Sequence, residues 1–224
     1  ALHRVAAEYD IKYILSGGNY ATEGILPKGW HYDAKDVKYL KAIQKKFGAK
    51  KLKTFPTFGF QREIYYKYIK GIRMVYPLNY VPYNKKEAIK VLEQELDWMN
   101  YGGKHHESLY TKFIQSYLLY EKFGIDYRRA TFSTQICSGE MTREEALRIL
   151  FEKPYDTVKI EDEKEYISKK LSISSKELEN ILALPPKTYK DYPNNKKILE
   201  IIYNTYRRIN KNKFMIFGSG SESN

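Results

Sequence analysis

Tyr13-Ile14-Leu15-Ser16-Gly17-Gly18-Asn19-Tyr20-Ala21-Thr22-Glu23-Gly24 runs an apolar, β-prone segment straight into two glycines, an amide, a hydroxyl and a carboxylate. Ahead of it, Leu2, Val5, Ala6 and Tyr9 fall at helical spacing, Asp10 marks a turn, and Ile11 to Leu15 reads as a buried strand. Helix, turn, buried strand and a glycine pair at the strand's carboxyl end is the layout of an α/β sheet that binds a ligand there. Gly17 and Gly18 carry no Cβ, so backbone N–H groups can approach a phosphate closely. A glycine pair alone reads as an ordinary strand-ending turn. The polar cluster packed directly behind this one favours the ligand-binding reading.

Outward from that turn, Asp33 is expected to cap a helix reaching Phe47, with Val37, Leu40, Ile43 and Phe47 on one face and Gly48 at its end. A second helix is predicted over Arg62–Ile69, with Ile64, Tyr65, Tyr68 and Ile69 inward. Ile72 to Leu78 reads as a second core strand, ended by Pro77. Asn84, with Glu87 three residues on, caps a helix carrying Ala88, Ile89, Leu92 and Leu96. Helical spacing resumes at Leu109, Phe113 and Tyr117. Thr142 with Glu145, Asp162 with Glu165, and Ser174 with Glu177 predict three capped helix starts, and Lys196–Ile209 a last helix. Gly218–Asn224 has the composition of a disordered tail. The expected organisation is an α/β domain over 1–100, a mainly helical region over 101–210 and a tail over 211–224.

The chain has 224 residues, a formal net charge of +12 and a pI near 9.4. Nucleic acid, an anionic membrane face or a phosphorylated small substrate are the candidate partners of such charge. The lysines are scattered over predicted helix faces, and the excess of Lys over Arg argues against base reading, so no nucleic-acid partner is expected. The single cysteine, Cys137, excludes an internal disulfide framework and fits a reducing compartment. With no signal-peptide pattern and no long apolar run, a cytoplasmic protein without membrane insertion is expected.

The densest reactive cluster is Gly102-Gly103-Lys104-His105-His106-Glu107-Ser108, opening a predicted helix. Lys104 brings charge, and the helix start brings free N–H groups and a positive dipole end, which together suit an anion. The bland reading is a solvent-exposed loop whose Glu107 merely favours the helix start. Adjacent histidines on a helix point about 100° apart, so a shared zinc ion is not expected and no protein-held metal is assigned. Cys137 reads as a packing residue in a partly buried segment entering a helix. Arg128 and Arg129, on a loop leaving a helix, suit a sugar diphosphate.

Several of these stretches resemble known proteins. Ser16-Gly17-Gly18-Asn19 with Glu23 resembles the second signature of PP-loop ATP pyrophosphatases. The order strand, Pro77-Leu78, then Lys85-Lys86-Glu87 on a capped helix resembles the end of their sheet. Tyr101-Gly102-Gly103-Lys104-His105-His106-Glu107-Ser108 is very similar to a signature of the N-acetyl sugar amidotransferases of bacterial surface-polysaccharide (lipopolysaccharide O-antigen) synthesis. That resemblance extends to about Asn195 and includes Leu184–Tyr192. It implies the C-terminal part of an adenine-nucleotide-hydrolase-like (PP-loop) parallel sheet followed by a helical region.

The resemblance also implies an activity. ATP, with Mg²⁺, adenylates the acetamido oxygen of a nucleotide-linked N-acetyl sugar. Ammonia from a glutaminase (HisH-like) with a cyclase-like (HisF-like) subunit then displaces AMP and leaves an acetamidino group. Lys104, His105 and Glu107 are implied as catalytic, and Ser16, Gly17, Gly18, Asn19 and Glu23 as nucleotide-binding. Gly102, Gly103, His106, Ser108, Arg128 and Arg129 are implied as substrate-binding. Three departures stand out: Gly18 replaces a histidine common in relatives, a histidine that relatives tend to have near Thr131 is missing, and the Ser-Gly-Gly-x-Asp-Ser ATP loop is absent. The expectation is that an N-terminal portion lies outside this chain and that the chain alone is inactive. Rival readings are a PP-loop tRNA-modifying enzyme and a non-catalytic scaffold for a glutaminase.

Overall fold

The computed structural model describes residues 1–23, 25–99 and 106–209. In chain order the main elements are α1 (Leu2–Glu8), β1 (Tyr13–Leu15), α2 (Tyr20–Glu23), α3 (Val37–Phe47), α4 (Phe60–Ile64) and β2 (Arg73–Val75). There follow α5 (Lys85–Leu96), α6 (Leu109–Lys112), α7 (Leu119–Phe123), α8 (Arg128–Cys137), α9 (Arg143–Leu150), α10 (Ile160–Leu171), α11 (Ser175–Ala183) and α12 (Lys196–Ile209). The described residues are mostly helical, with a two-stranded parallel sheet. They divide into two compact units, one of residues 1–18, 26–80 and 187 onwards, the other of residues 19–25 and 81–186.

In the first unit β1 pairs with β2 in parallel, Tyr13 opposite Arg73, Ile14 opposite Met74 and Leu15 opposite Val75. The strand is not buried as expected: Tyr13 is 61% and Leu15 72% exposed, and only Ile14 turns inward. Among the described residues the sheet has two strands, so its apolar run covers one face rather than two. The second strand is likewise short, with Ile72 buried just ahead of it and Pro77 already in a 3₁₀ turn.

Asp36, not Asp33, caps α3. Its Oδ1 accepts from the Tyr39 N–H at 3.0 Å, while Oδ2 accepts from the Asn195 N–H at the approach to α12. That second bond decides between the two aspartates, because it buries Asp36 to 3% exposure and satisfies both oxygens. Asp33 instead closes the preceding turn by accepting from the Lys35 N–H. Lys35 in turn pairs with Glu63 of α4. Leu199 and Tyr203 of α12 pack inward, Tyr203 edge-on to Phe60.

The helical prediction over Arg62–Ile69 holds in part, since α4 passes into a π-helical turn at Tyr65–Ile69. Ile64, Tyr65, Tyr68 and Ile69 stay on one side of this helix. That side is exposed, not inward as expected.

In the second unit, a π-helical stretch at Phe113–Leu118 joins α6 to α7. Phe113, Ile160 and Ile167 form its core, with Ile114, Tyr117 and Tyr155 packed around them. Asn84 caps α5 through the Lys86 and Glu87 N–H groups, and Thr142 caps α9 through that of Glu145. Ser174 and Glu177 form a reciprocal capping box. Asp162 does not cap α10. The helix starts earlier, at Ile160, leaving Asp162 inside a first turn of three acidic residues that favour its positive end. The expected tail lies outside the described residues.

Candidate functional site

The Ser16–Glu23 stretch passes from one unit to the other. In the first unit, Ser16 continues the ladder by donating its N–H to the Val75 carbonyl, and its Oγ accepts from the Gly18 N–H at 3.2 Å. A Cβ added at Gly17 would meet nothing within 4 Å, so the backbone there lies open.

The second unit takes up the chain at Asn19, which is 4% exposed. Its Oδ1 accepts from the Thr22 N–H at 2.9 Å and the Thr22 hydroxyl at 3.1 Å, holding the first turn of α2. α2 is seated on α8: the Ile25 N–H reaches Thr134 Oγ1 at 3.0 Å, and the Ser138 hydroxyl reaches the Ala21 carbonyl. This seating places Glu23 where its charge acts on two phenols. Burial pushes the Tyr83 and Tyr127 phenols up. Glu23 adds to both, and Glu140 adds to Tyr83.

Glu140 accepts the Lys85 N–H on Oε1, yet its Oε2 and Gln135 Oε1 are buried without a hydrogen-bond partner among the described residues. A buried acceptor left unpaired is unfavourable by about 1–3 kcal/mol, so this surface suits a ligand that brings N–H or O–H donors. A phosphate would meet two carboxylates here. Tyr83, Tyr127, Gln135 and Glu140 were not singled out from the sequence. They converge from three distant segments, and 22 tyrosines offer no local signal to pick two.

The second cluster lies at the start of α6. Gly102, Gly103, Lys104 and His105 lie outside the described residues. His106 is half-buried in the turn that follows, and Ser108 caps α6, its Oγ accepting from the Thr111 N–H at 3.3 Å. Glu107 and Ser108 line an open cavity of about 530 Å³, shared with Tyr110 of α6 and with Tyr166 and Lys170 of α10. That volume falls within the range of small-molecule sites.

Arg128 and Arg129 are not on a loop; they open α8. The Arg128 guanidinium is held by Asp126 and by the Ile149 and Glu152 carbonyls, whereas Arg129 is exposed. Cys137 is exposed in the last turn of α8 and does not enter a helix. Among the described residues, no three His, Cys, Asp or Glu side chains stand together in a metal-holding group. No described helix is long and apolar enough to cross a membrane.

Comparison with known families bears on the segment that begins at this cavity. Residues 107–210 match the family model described as LPS biosynthesis protein WbpG-like, C-terminal domain. This segment is similar to the WbpG-like C-terminal domain. The finding supports the family resemblance carried by Tyr101–Ser108. The matched segment takes in Glu107, Ser108, Arg128 and Arg129, and it leaves Ser16–Glu23 and Gly102–His106 outside its bounds. No curated protein and no solved structure matches the chain.

Proposed function

We propose that the protein serves ATP-dependent amidation of a nucleotide-linked N-acetyl sugar in lipopolysaccharide biosynthesis. The observation that carries this reading is the WbpG-like match over residues 107–210, which begins within the amidotransferase-like signature Tyr101–Ser108. In this reading the chain also supplies the end of a PP-loop sheet, with β1 and β2 as two of its strands.

The chemistry has a clear physical demand. An amide is a poor electrophile, so its oxygen must become a leaving group. The acetamido oxygen attacks the α-phosphorus of ATP and pyrophosphate departs. Ammonia adds to the activated carbon, AMP leaves with that oxygen, and a proton is lost to give the amidine.

Ser16–Gly18, with open backbone at Gly17, fits a phosphate. The acceptor-rich surface around Glu23 fits a donor such as an amino group. Mg²⁺, held mainly by phosphate oxygens and water, would neutralise developing charge without needing a protein cluster. Lys104, His105 and Glu107 are proposed as catalytic. Gly102, Gly103, His106, Ser108 and Arg129 are proposed to bind the sugar nucleotide, with a HisH-like glutaminase and its HisF-like partner supplying ammonia in the cytoplasm.

The test is AMP release by the full-length protein given ATP, ammonia and UDP-diacetamido sugars. Sugar-dependent AMP supports the reading. AMP that depends on tRNA instead would make this a tRNA-modifying enzyme.

A further inference from the structure

We infer that the cavity at the start of α6 is a glycosyl-phosphate subsite, in which Tyr166 and Lys170 of α10 bind the sugar and its phosphate. The inference rests on the reading above that the protein handles a nucleotide-linked sugar. It adds two residues that the sequence did not single out.

The lysines of α10 provide the first argument. Lys164 pairs with Glu161 and Glu179, each at 3.0 Å, and Lys169 pairs with Glu165 at 2.6 Å. Lys170 makes no ion pair among the described residues; its ammonium lies 5.4 Å from the centroid of the Tyr166 ring. The one lysine of the helix left without a carboxylate is therefore the one that lines the cavity. A bare ammonium over an aromatic face is a point charge ready for a phosphate oxygen, with the ring beside it to cover the apolar face of a pyranose.

The rest of the lining narrows the ligand class. Glu107 accepts hydroxyl or amide protons, and Ser108 uses its oxygen on the Thr111 N–H, which leaves its proton for a ligand. The described lining residues include one cation and one carboxylate, a balance that disfavours a dense polyanion such as free triphosphate. It suits a polyol body that carries a single phosphate nearby. A cavity of about 530 Å³ accommodates such a group.

Binding of UDP-N-acetylglucosamine, UDP, N-acetylglucosamine and inorganic phosphate to the full chain, without ATP or ammonia, tests this by calorimetry. Lys170→Ala is expected to weaken UDP-N-acetylglucosamine about tenfold, with Lys170→Arg restoring most of it. Tyr166→Ala is expected to weaken the sugar nucleotide but not UDP, and Tyr166→Phe to bind normally. Circular dichroism verifies that each variant is folded. No saturable binding by wild type, or wild-type affinity for the sugar nucleotide in both alanine variants, overturns the subsite; so does a loss that is equal for inorganic phosphate and the sugar nucleotide. Sugar-dependent AMP release with an unchanged KM in both alanine variants would sink the subsite while leaving the amidation reading intact. Binding that behaves as expected, without AMP release, would do the reverse.

Discussion

Asp126 and Arg128 form a two-point pair at the entry to α8. Nε and Nη2 of Arg128 meet Oδ1 and Oδ2 of Asp126 at 3.0 and 2.7 Å. The same guanidinium donates to the Ile149 carbonyl at 3.2 Å and the Glu152 carbonyl at 2.7 Å, tying the end of α9 to the start of α8. Arg128 thus has a structural task, whatever its part in substrate binding. Asp126 is buried, so removing it strands a partly buried cation. Asp126→Ala is expected to lower stability by about 3 kcal/mol in urea unfolding. Arg128→Lys keeps the charge but loses the fork and should fall between the two proteins. An unchanged midpoint in both variants would mean that the guanidinium is available to a substrate after all.

Asn19 offers a second test, because its buried amide oxygen is engaged by the Thr22 N–H and hydroxyl. The expectation that it touches nucleotide must accommodate this capping role. Asn19→Ala should destabilise the protein by about 1–2 kcal/mol, and Asn19→Asp or Asn19→Ser should retain most of that. Thermal unfolding without ligand reads the effect directly.

Two local capping signals, the Asn84 cap and the Ser174–Glu177 capping box, each with its partner within three residues, formed as expected, whereas another, Asp162 with Glu165, fell inside a helix that starts earlier. Failure also came where a distant residue chose the outcome. Asn195, 159 positions away, selects Asp36 over Asp33 as the α3 cap. The surface around Glu23 is assembled from Tyr83, Tyr127 and Glu140, which share no periodicity with it. The outward Ile64 and Ile69 show a different failure, since periodicity picks out an apolar side of a helix but not whether that side meets the core. The Glu107–Ser108 end of the candidate site was legible from composition, whereas its α10 wall needed coordinates.

Asp33 makes a prediction of unusual sign. Burial raises its carboxyl pKa above the ordinary 3.8, and the nearby charges of Asp36 and Glu63 add to the shift, against the bond from the Lys35 N–H and the charge of Lys35. A folded-state pKa above the unfolded value means the folded state holds the proton more tightly. The ionised form is therefore disfavoured by folding at neutral pH, and that handicap disappears as pH falls through the folded pKa to below the unfolded one. Asp33→Asn, which can still accept from Lys35, should raise the unfolding temperature at pH 7. The gain should vanish below about pH 3.8. A variant less stable than wild type at pH 7 would show that attraction to Lys35 outweighs burial.

Gly59 and Val37 give the last prediction, on packing in the first unit. Gly59 precedes α4 with extended backbone at φ −119°, a conformation open to any residue. What demands glycine is space: a Cβ there would stand 2.7 Å from Val37 Cγ2 on α3. Neither atom belongs to a long flexible side chain, and a β-branched valine in a helix has essentially one rotamer. Gly59→Ala should therefore be destabilising by about 1–3 kcal/mol, the usual range for overpacking. Val37→Ala removes the obstructing methyl groups at its own cost in lost contacts. The double variant should then be more stable than the sum of the two single effects, by about 1 kcal/mol in a double-mutant cycle. Strict additivity in urea unfolding would show that α3 and α4 shift apart to admit the extra methyl group without strain at Val37.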